Sequence, residues 1–280
     1  MKIKRIFQYF KNAFSDWSED NSAMLAAALS FYTFFSLTPL LILMTNIAGM
    51  VFGQDAVQSA IIGEISRLVG NEGGQAIKEL LSKSQQSRSG FVSTVISSIT
   101  LVIGAIAVFA QLQTALNIIW KAPQQTKKGI WGFIRKYFLS FGIVVSSGFL
   151  LLVSLIISAG LSALNKYFSG LILGIDLLLK ILGHLLSFII ITILFALIFK
   201  ILPNIKIKWK SIWMGAAFTS FLFIIGQVFI GIYLGKSNLG DSYGAATSLV
   251  IILLWIYYSS QILFFGVEFT KQFERKVNRK

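Results

Sequence analysis

Cysteine is absent from this sequence, which excludes disulfides, thiolate metal sites and thiol nucleophiles together. Histidine occurs once, at His184, so a histidine-cluster zinc site is ruled out and histidine-based catalysis is a poor expectation. Acidic residues number 11 against 25 lysines and arginines. No two acids recur together on one helical face inside an apolar run, so the paired acids or metal ligands that phosphodiester hydrolysis needs are missing. There is no HExxH, no phosphate-binding glycine loop and no serine nucleophile elbow. The chain is therefore not expected to be an enzyme, and neither a metal nor a cofactor is expected. Proline is scarce as well: of three, Pro123 and Pro203 fall in connections and only Pro39 lies inside an apolar run.

What the chain has in abundance is apolar length. With 55% hydrophobic and 13% charged residues over 280 positions, it reads as an all-α polytopic membrane protein. Residues 23–52 hold no charge, and such a run crosses a hydrocarbon core of ~30 Å at ~1.5 Å per residue. Residues 91–119, 138–164, 177–201, 212–234 and 245–269 are long enough to do the same, so six transmembrane helices are expected. Residues 53–90 are polar. Val57, Ile61, Ile65 and Leu68 share one helical face and Ala76, Ile77, Leu80 and Leu81 another, with Gly70, Gly73 and Gly74 between them. This predicts a small exterior insert of two amphipathic helices packed on the membrane face, followed by a loose linker over 82–90.

Residues 1–22 precede the spans. Ile3, Phe7, Phe10, Phe14 and Trp17 recur every three or four positions, with Lys2, Lys4, Arg5 and Lys11 supplying a basic side. The pattern predicts an amphipathic interfacial helix on an anionic leaflet, and its interleaved charges do not fit a cleavable signal. Asp20, Asn21 or Ser22 can cap the helix that follows, and Asp16, Glu19 and Asp20 fit a solvated face.

The net charge of +14 is a topology signal before it is anything else. Lys2, Lys4, Arg5 and Lys11 precede the first span, and Lys121, Lys127, Lys128, Arg135 and Lys136 follow the second. Lys200, Lys206, Lys208 and Lys210 follow the fourth, and Lys271, Arg275, Lys276, Arg279 and Lys280 end the chain. Eighteen of the 25 basic residues thus lie on one side, which puts both termini in the cytoplasm. Nucleic acid is not an expected partner.

The candidate site is uncharged and polar. Ser36, Thr38 and Pro39 interrupt the first span beside Tyr32, and Pro39 removes a backbone donor and clashes with the preceding turn. A kinked or broken helix there either lines a hydrated cavity or is patched by Ser36 and Thr38. Gln111, Gln113 and Asn117 sit in the cytoplasmic half of the second span, Gln227 in the fifth, and Tyr257, Tyr258 and Gln261 in the last, with Glu268 at its cytoplasmic end. Such groups line a hydrated or amphiphile-accepting cleft, or they hydrogen-bond between helices; the pattern alone leaves both open. No intramembrane carboxylate of the kind ion-coupled carriers keep is evident.

Four blocks, in order, carry a family resemblance: ALSFYTFFSLTPLL (28–41), ALNIIW (115–120), LPNIKIKWKSIWMGA (202–216) and YGAATSLVIILLWIYYSSQILFFGVE (243–268). They resemble the YihY/virulence factor BrkB family of bacterial inner-membrane proteins, formerly labelled ribonuclease BN. Val267 departs from the alanine usual before Glu268. The resemblance implies six spans with cytoplasmic ends, an inner-membrane location, and a role in cell-envelope biology such as lipid or lipopolysaccharide export. From residues and resemblance together, the expected function is movement of a lipid or other amphiphile through a polar, uncharged cleft. The alternative is a non-transporting envelope scaffold that organises partners. Membrane lipids are the expected partners, with anionic headgroups on the cytoplasmic side, and a homo-oligomer is compatible with the pattern.

Overall fold

In an apolar medium a charge-free run satisfies its backbone by coiling on itself. Residues 2–69, 71–86, 91–123, 175–236, 243 and 246–277 are described by a computed structural model, and among them there are helices and turns but no strand. The helices are α1 (Lys2–Glu19), α2 (Ser22–Phe52), α3 (Gln54–Val69), α4 (Asn71–Gln86), α5 (Phe91–Ile119), α6 (Ile175–Ile201), α7 (Trp209–Lys236) and α8 (Thr247–Val277). Four of them, α2, α6, α7 and α8, are long and apolar enough to cross a membrane, against the six expected. α5 is helical over the whole expected span, but its described apolar stretch is Ile103–Ile119, since the side chains of 91–98, 101 and 102 lie outside the described residues. The expected span over residues 138–164 also lies outside the described residues.

Several hydroxyl groups in these helices turn back onto their own backbones. Ser30 donates to the Ala27 carbonyl at 2.8 Å, Thr33 to Leu29 at 2.8 Å and Ser36 to Thr33 at 2.9 Å. Ser260 donates to Ile256 at 2.8 Å in the same way. A hydroxyl with a local carbonyl acceptor is satisfied without water, so it can be buried in an apolar bundle. Of the kinked or broken helix expected at Pro39, the break is not found: α2 is helical through that position. Asn21 occupies the position before α2 but is left-handed (φ 50°) and makes no side-chain cap. Its carbonyl instead accepts from the amides of Met24 and Leu25.

The chain divides into two compact units, and α5, α7 and α8 contribute a segment to each. The first unit holds residues 1–17, 116–222 and 265–280. Its core includes a cluster of four rings. Phe10 of α1 meets Phe218 edge-on at 5.0 Å and lies 5.6 Å from Phe269, which itself stacks on Phe218 at 4.0 Å. Phe265 completes the group, 6.2 Å from Phe10. The amphipathic stripe expected along α1 therefore divides: Phe10 faces protein, whereas Phe14 is 62% exposed and stacks on Trp17. Beside the rings, α7 and α8 run antiparallel with glycines against threonines. A Cβ on Gly215 would lie 2.7 Å from the Cβ of Thr270, and one on Gly266 would lie 2.8 Å from the Cβ of Thr219.

The second unit holds residues 18–115 and 223–264. Gly53, with φ 84°, makes the corner between α2 and α3 that a residue with a side chain would strain to adopt. α3 and α4 form the predicted insert, although α4 starts at Asn71 and so contains Gly73 and Gly74 instead of following them. The reason is contact: Gly74 leaves room for Ser66 of α3, whose Cβ would be 3.0 Å from a Cβ there. Helix continues through Ser82–Gln86, where a loose linker was expected, and residues 87–90 lie outside the described residues. Ala76, Ile77 and Leu81 of α4 are buried against Leu41 of α2 and Ile252 and Ile256 of α8. The insert is thus packed into the side of this unit.

Candidate functional site

Close helix approach positions the polar residues of the second unit. Gly104 of α5 lies under Ser36 of α2, where an added Cβ would come within 2.8 Å of the serine Cβ. Gly226 of α7 receives the Tyr258 hydroxyl end and the Ile262 side chain of α8, with a Cβ there 2.7 Å from Ile262 Cδ1. Gln227 is the residue after that glycine and Gln261 the residue before that isoleucine, so the two amides lie at one level of the α7–α8 pair. Gln227 is ~27 Å along α7 and Gln261 ~21 Å along α8, well inside both spans. The Gln227 Nε2 and Gln261 Oε1 atoms are buried, and neither has a hydrogen-bond partner among the described residues; the same holds for Thr45 Oγ1 of α2.

The other candidates divide between packing and exposure. Ser36 and Pro39 are buried, and Ser36 keeps its hydroxyl on Thr33, so it does not present it to a cleft. The Thr38 side chain lies outside the described residues. Tyr32 is 40% exposed and meets Phe31 edge-on at 5.8 Å. Gln111, Gln113 and Tyr257 are half-buried.

Asn117 and Glu268 fall in the first unit, and both hold structure there. Asn117 Oδ1 accepts the Asn204 amide at 2.8 Å, tying α5 to the connection between α6 and α7. Its carbonyl accepts from Ala122 at 2.9 Å around a left-handed Lys121 (φ 50°), a Schellman-type end to α5. Glu268 is fully buried, and its Oε2 accepts from Lys271 Nζ at 2.9 Å. Lys271 also lies 3.1 Å from Asp16 Oδ2, which accepts from Gln272 at 2.8 Å and from Arg275 at 3.2 Å. Asp16, expected on a solvated face, is therefore the point where α1 is tied to α8. The spacing of Glu268, Lys271, Gln272 and Arg275 along one face of α8 was legible in the sequence. Their partner on α1, some 250 residues away, was not. Among the described residues, no group of three His, Asp or Glu gathers where it could hold a metal ion.

The comparison with known proteins agrees with the four sequence blocks. The family described as Virulence factor BrkB matches residues 13–280. The chain belongs to that family. Among its relatives, a "UPF0761 membrane protein" of Teredinibacter turnerae is 25% identical over 270 residues, covering 95% of this chain and 60% of the relative. A protein of the same name from Glaesserella parasuis is 32% identical over 179 residues, covering 62% of this chain and 60% of its own length. A third, from Pseudomonas aeruginosa, is 28% identical over 254 residues, covering 88% and 58%. The chain thus spans about 60% of the length of the curated relatives it matches. No solved structure matches it.

Proposed function

We propose that this BrkB-family protein moves a lipid or other amphiphile across the bacterial inner membrane along a polar, uncharged route beside the α7–α8 pair. It acts without enzymatic chemistry, crosses the membrane six times and keeps both termini in the cytoplasm. Its partners on this reading are membrane lipids, with anionic headgroups on the cytoplasmic side.

The observation that carries the reading is the pair of buried amide atoms on Gln227 and Gln261. A buried amide without a partner costs roughly 1–3 kcal/mol, and more in hydrocarbon, where the alternative acceptors and donors of water are missing. Two of them at one level of a helix pair are supported most economically if water or a polar headgroup meets them during the working cycle. The hydroxyls of Ser36 and Ser260 make no such demand, because their own helices satisfy them.

The test is a headgroup-resolved flip assay in liposomes containing only this protein. Wild-type protein should move at least one class of fluorescent phospholipid faster than empty liposomes do. Gln227→Leu with Gln261→Leu should reduce that movement to the protein-free rate while the protein remains folded. A double variant that moves lipid at the wild-type rate would defeat the proposal, and the scaffold reading would then lead.

A further inference from the structure

The connection between α6 and α7 carries more construction than a topology signal requires. Positive charge on a loose loop suffices to orient a span, yet residues 202–208 are clamped at several points. Pro203 and Ile207 are buried. The Asn204 amide donates to Asn117 Oδ1 at 2.8 Å, and the Ile207 carbonyl accepts from Lys200 Nζ at 2.6 Å. The Lys208 amide donates to Glu274 Oε1 at 3.4 Å. Because Ile207 points inward, Lys206 and Lys208 on either side of it are directed outward, and all three lysines at 206, 208 and 210 are exposed.

Two tryptophans complete the patch. Trp209 and Trp213 stack at 6.4 Å one turn apart, and they are 50% and 47% exposed. Lys200 stands 5.3 Å over the Trp209 ring, which fixes that ring from behind. These tryptophans open the candidate span Trp209–Leu234. Exposed indoles at the end of an apolar helix lie at headgroup depth, where one end of the ring is wet and the other apolar. At that depth Lys206 and Lys210 face lipid phosphates, and their stems can lie along the apolar boundary while the ammonium groups reach up to the charge.

We propose that Lys206, Lys210, Trp209 and Trp213 form a fixed docking site for the headgroup of an anionic phospholipid in the leaflet that meets this end of α7. The clamped connection fixes the backbone that carries Lys206, and the first turn of α7 fixes the backbone that carries Lys210, so only the two side chains are left to order on binding. A zwitterionic lipid offers the same phosphate but carries its own cation and gains less from the pair. This site rests on the reading of anionic headgroups as partners and gives it named residues, but it does not depend on the amides of Gln227 and Gln261 or on lipid movement, so binding can fail while movement persists and the reverse.

The experiment uses the whole protein in phosphatidylcholine liposomes doped with a small, equal fraction of either brominated phosphatidylglycerol or brominated phosphatidylcholine, with tryptophan quenching as the readout. Brominated phosphatidylglycerol should quench more strongly. The preference should vanish in Trp209→Phe with Trp213→Phe, which removes the local reporters. It should fall on the order of tenfold in Lys206→Gln with Lys210→Gln and persist in Lys206→Arg with Lys210→Arg. Equal quenching by the two lipids in wild type overturns the proposal, as does a preference untouched by the glutamine pair. Loss of the preference when millimolar inorganic phosphate replaces chloride at constant ionic strength would also overturn it, in favour of a site for free anions.

Discussion

Thr270 of α8 occupies the space that a side chain on Gly215 of α7 would need, and four residues further along α7, Thr219 does the same to Gly266 of α8. Each threonine also donates to the carbonyl of the glycine on its own helix, Thr219 to Gly215 at 2.7 Å and Thr270 to Gly266 at 2.6 Å. The two helices thus carry one Gly-x-x-x-Thr unit apiece, set antiparallel and reciprocal. Small residues at this spacing let membrane helices approach where apolar burial gives no preference for protein over lipid.

Alanine at either glycine tests the reciprocity. Gly215→Ala and Gly266→Ala each put a methyl into a β-branched side chain that cannot move without breaking its own hydrogen bond. Each should destabilise the protein by about 1–3 kcal/mol, the usual range for overpacking. Gly231→Ala, also in α7, is the control, since a Cβ there meets nothing within 4 Å. It should be neutral or stabilising by up to about 1 kcal/mol, because alanine is the better helix former. Thermal unfolding in detergent reads all three, and an equal response at Gly215 and Gly231 would remove the argument for a close contact.

The ion cluster at the end of α8 makes a second prediction. Lys271 is 4% exposed at its side chain and lies between Glu268, which is fully buried, and Asp16. Lys271→Ala leaves two carboxylates near each other without the cation, and removal of one partner from a buried pair costs about 3–5 kcal/mol. Asp16→Ala should cost less, because Asp16 is partly exposed, and should expose α1 to trypsin first. The double variant should be more stable than the sum of the single losses predicts. Strict additivity would show that Asp16 and Lys271 do not act on each other.

The orientation proposed from the basic residues is readily checked in a chain without cysteine. Single cysteines at Ser84 and Asn238 should react with an impermeant reagent in intact cells, and cysteines at Gln125 and Asn278 should not. Labelling of the Gln125 position from outside would reverse the topology proposed for the chain.

Much of the fold was legible because it depends on local pattern. Charge-free runs announced α2, α6, α7 and α8, and the 3.6-residue spacing of Ala76, Ile77 and Leu81 announced the packed face of α4. Contacts distant in sequence were not legible. Nothing about Phe10 says that its neighbours are Phe218, Phe265 and Phe269, so the protein-facing side of α1 could not be told from its other apolar residues. Asn117 read as a polar lining residue because a single sequence cannot reveal that Asn204 donates to it. The Gly-x-x-x-Thr units lay in plain view at 215–219 and 266–270. Such a spacing on one helix does not name the helix that packs on it, so the reciprocal pairing was not legible.

Pro39 and the Gln227–Gln261 pair can be separated as working elements in lipid movement. α2 is helical through Pro39, and that residue is buried. Pro39→Ala restores one backbone donor and removes the ring clash, and in helix interiors the exchange favours alanine by up to about 3 kcal/mol. The variant should therefore unfold at the same or a higher temperature and still move lipid, since no break in α2 is lost. Gln227→Leu with Gln261→Leu removes the buried, unpartnered Gln227 Nε2 and Gln261 Oε1 and should also stabilise, by roughly 1–3 kcal/mol for each group relieved. Lipid movement should stop in that variant alone. The two changes thus share a direction in stability and differ in activity, so a general loss of fold cannot imitate the result. If Pro39→Ala stops lipid movement and the leucine pair does not, the working element is α2, and the route belongs beside it instead of beside α7 and α8.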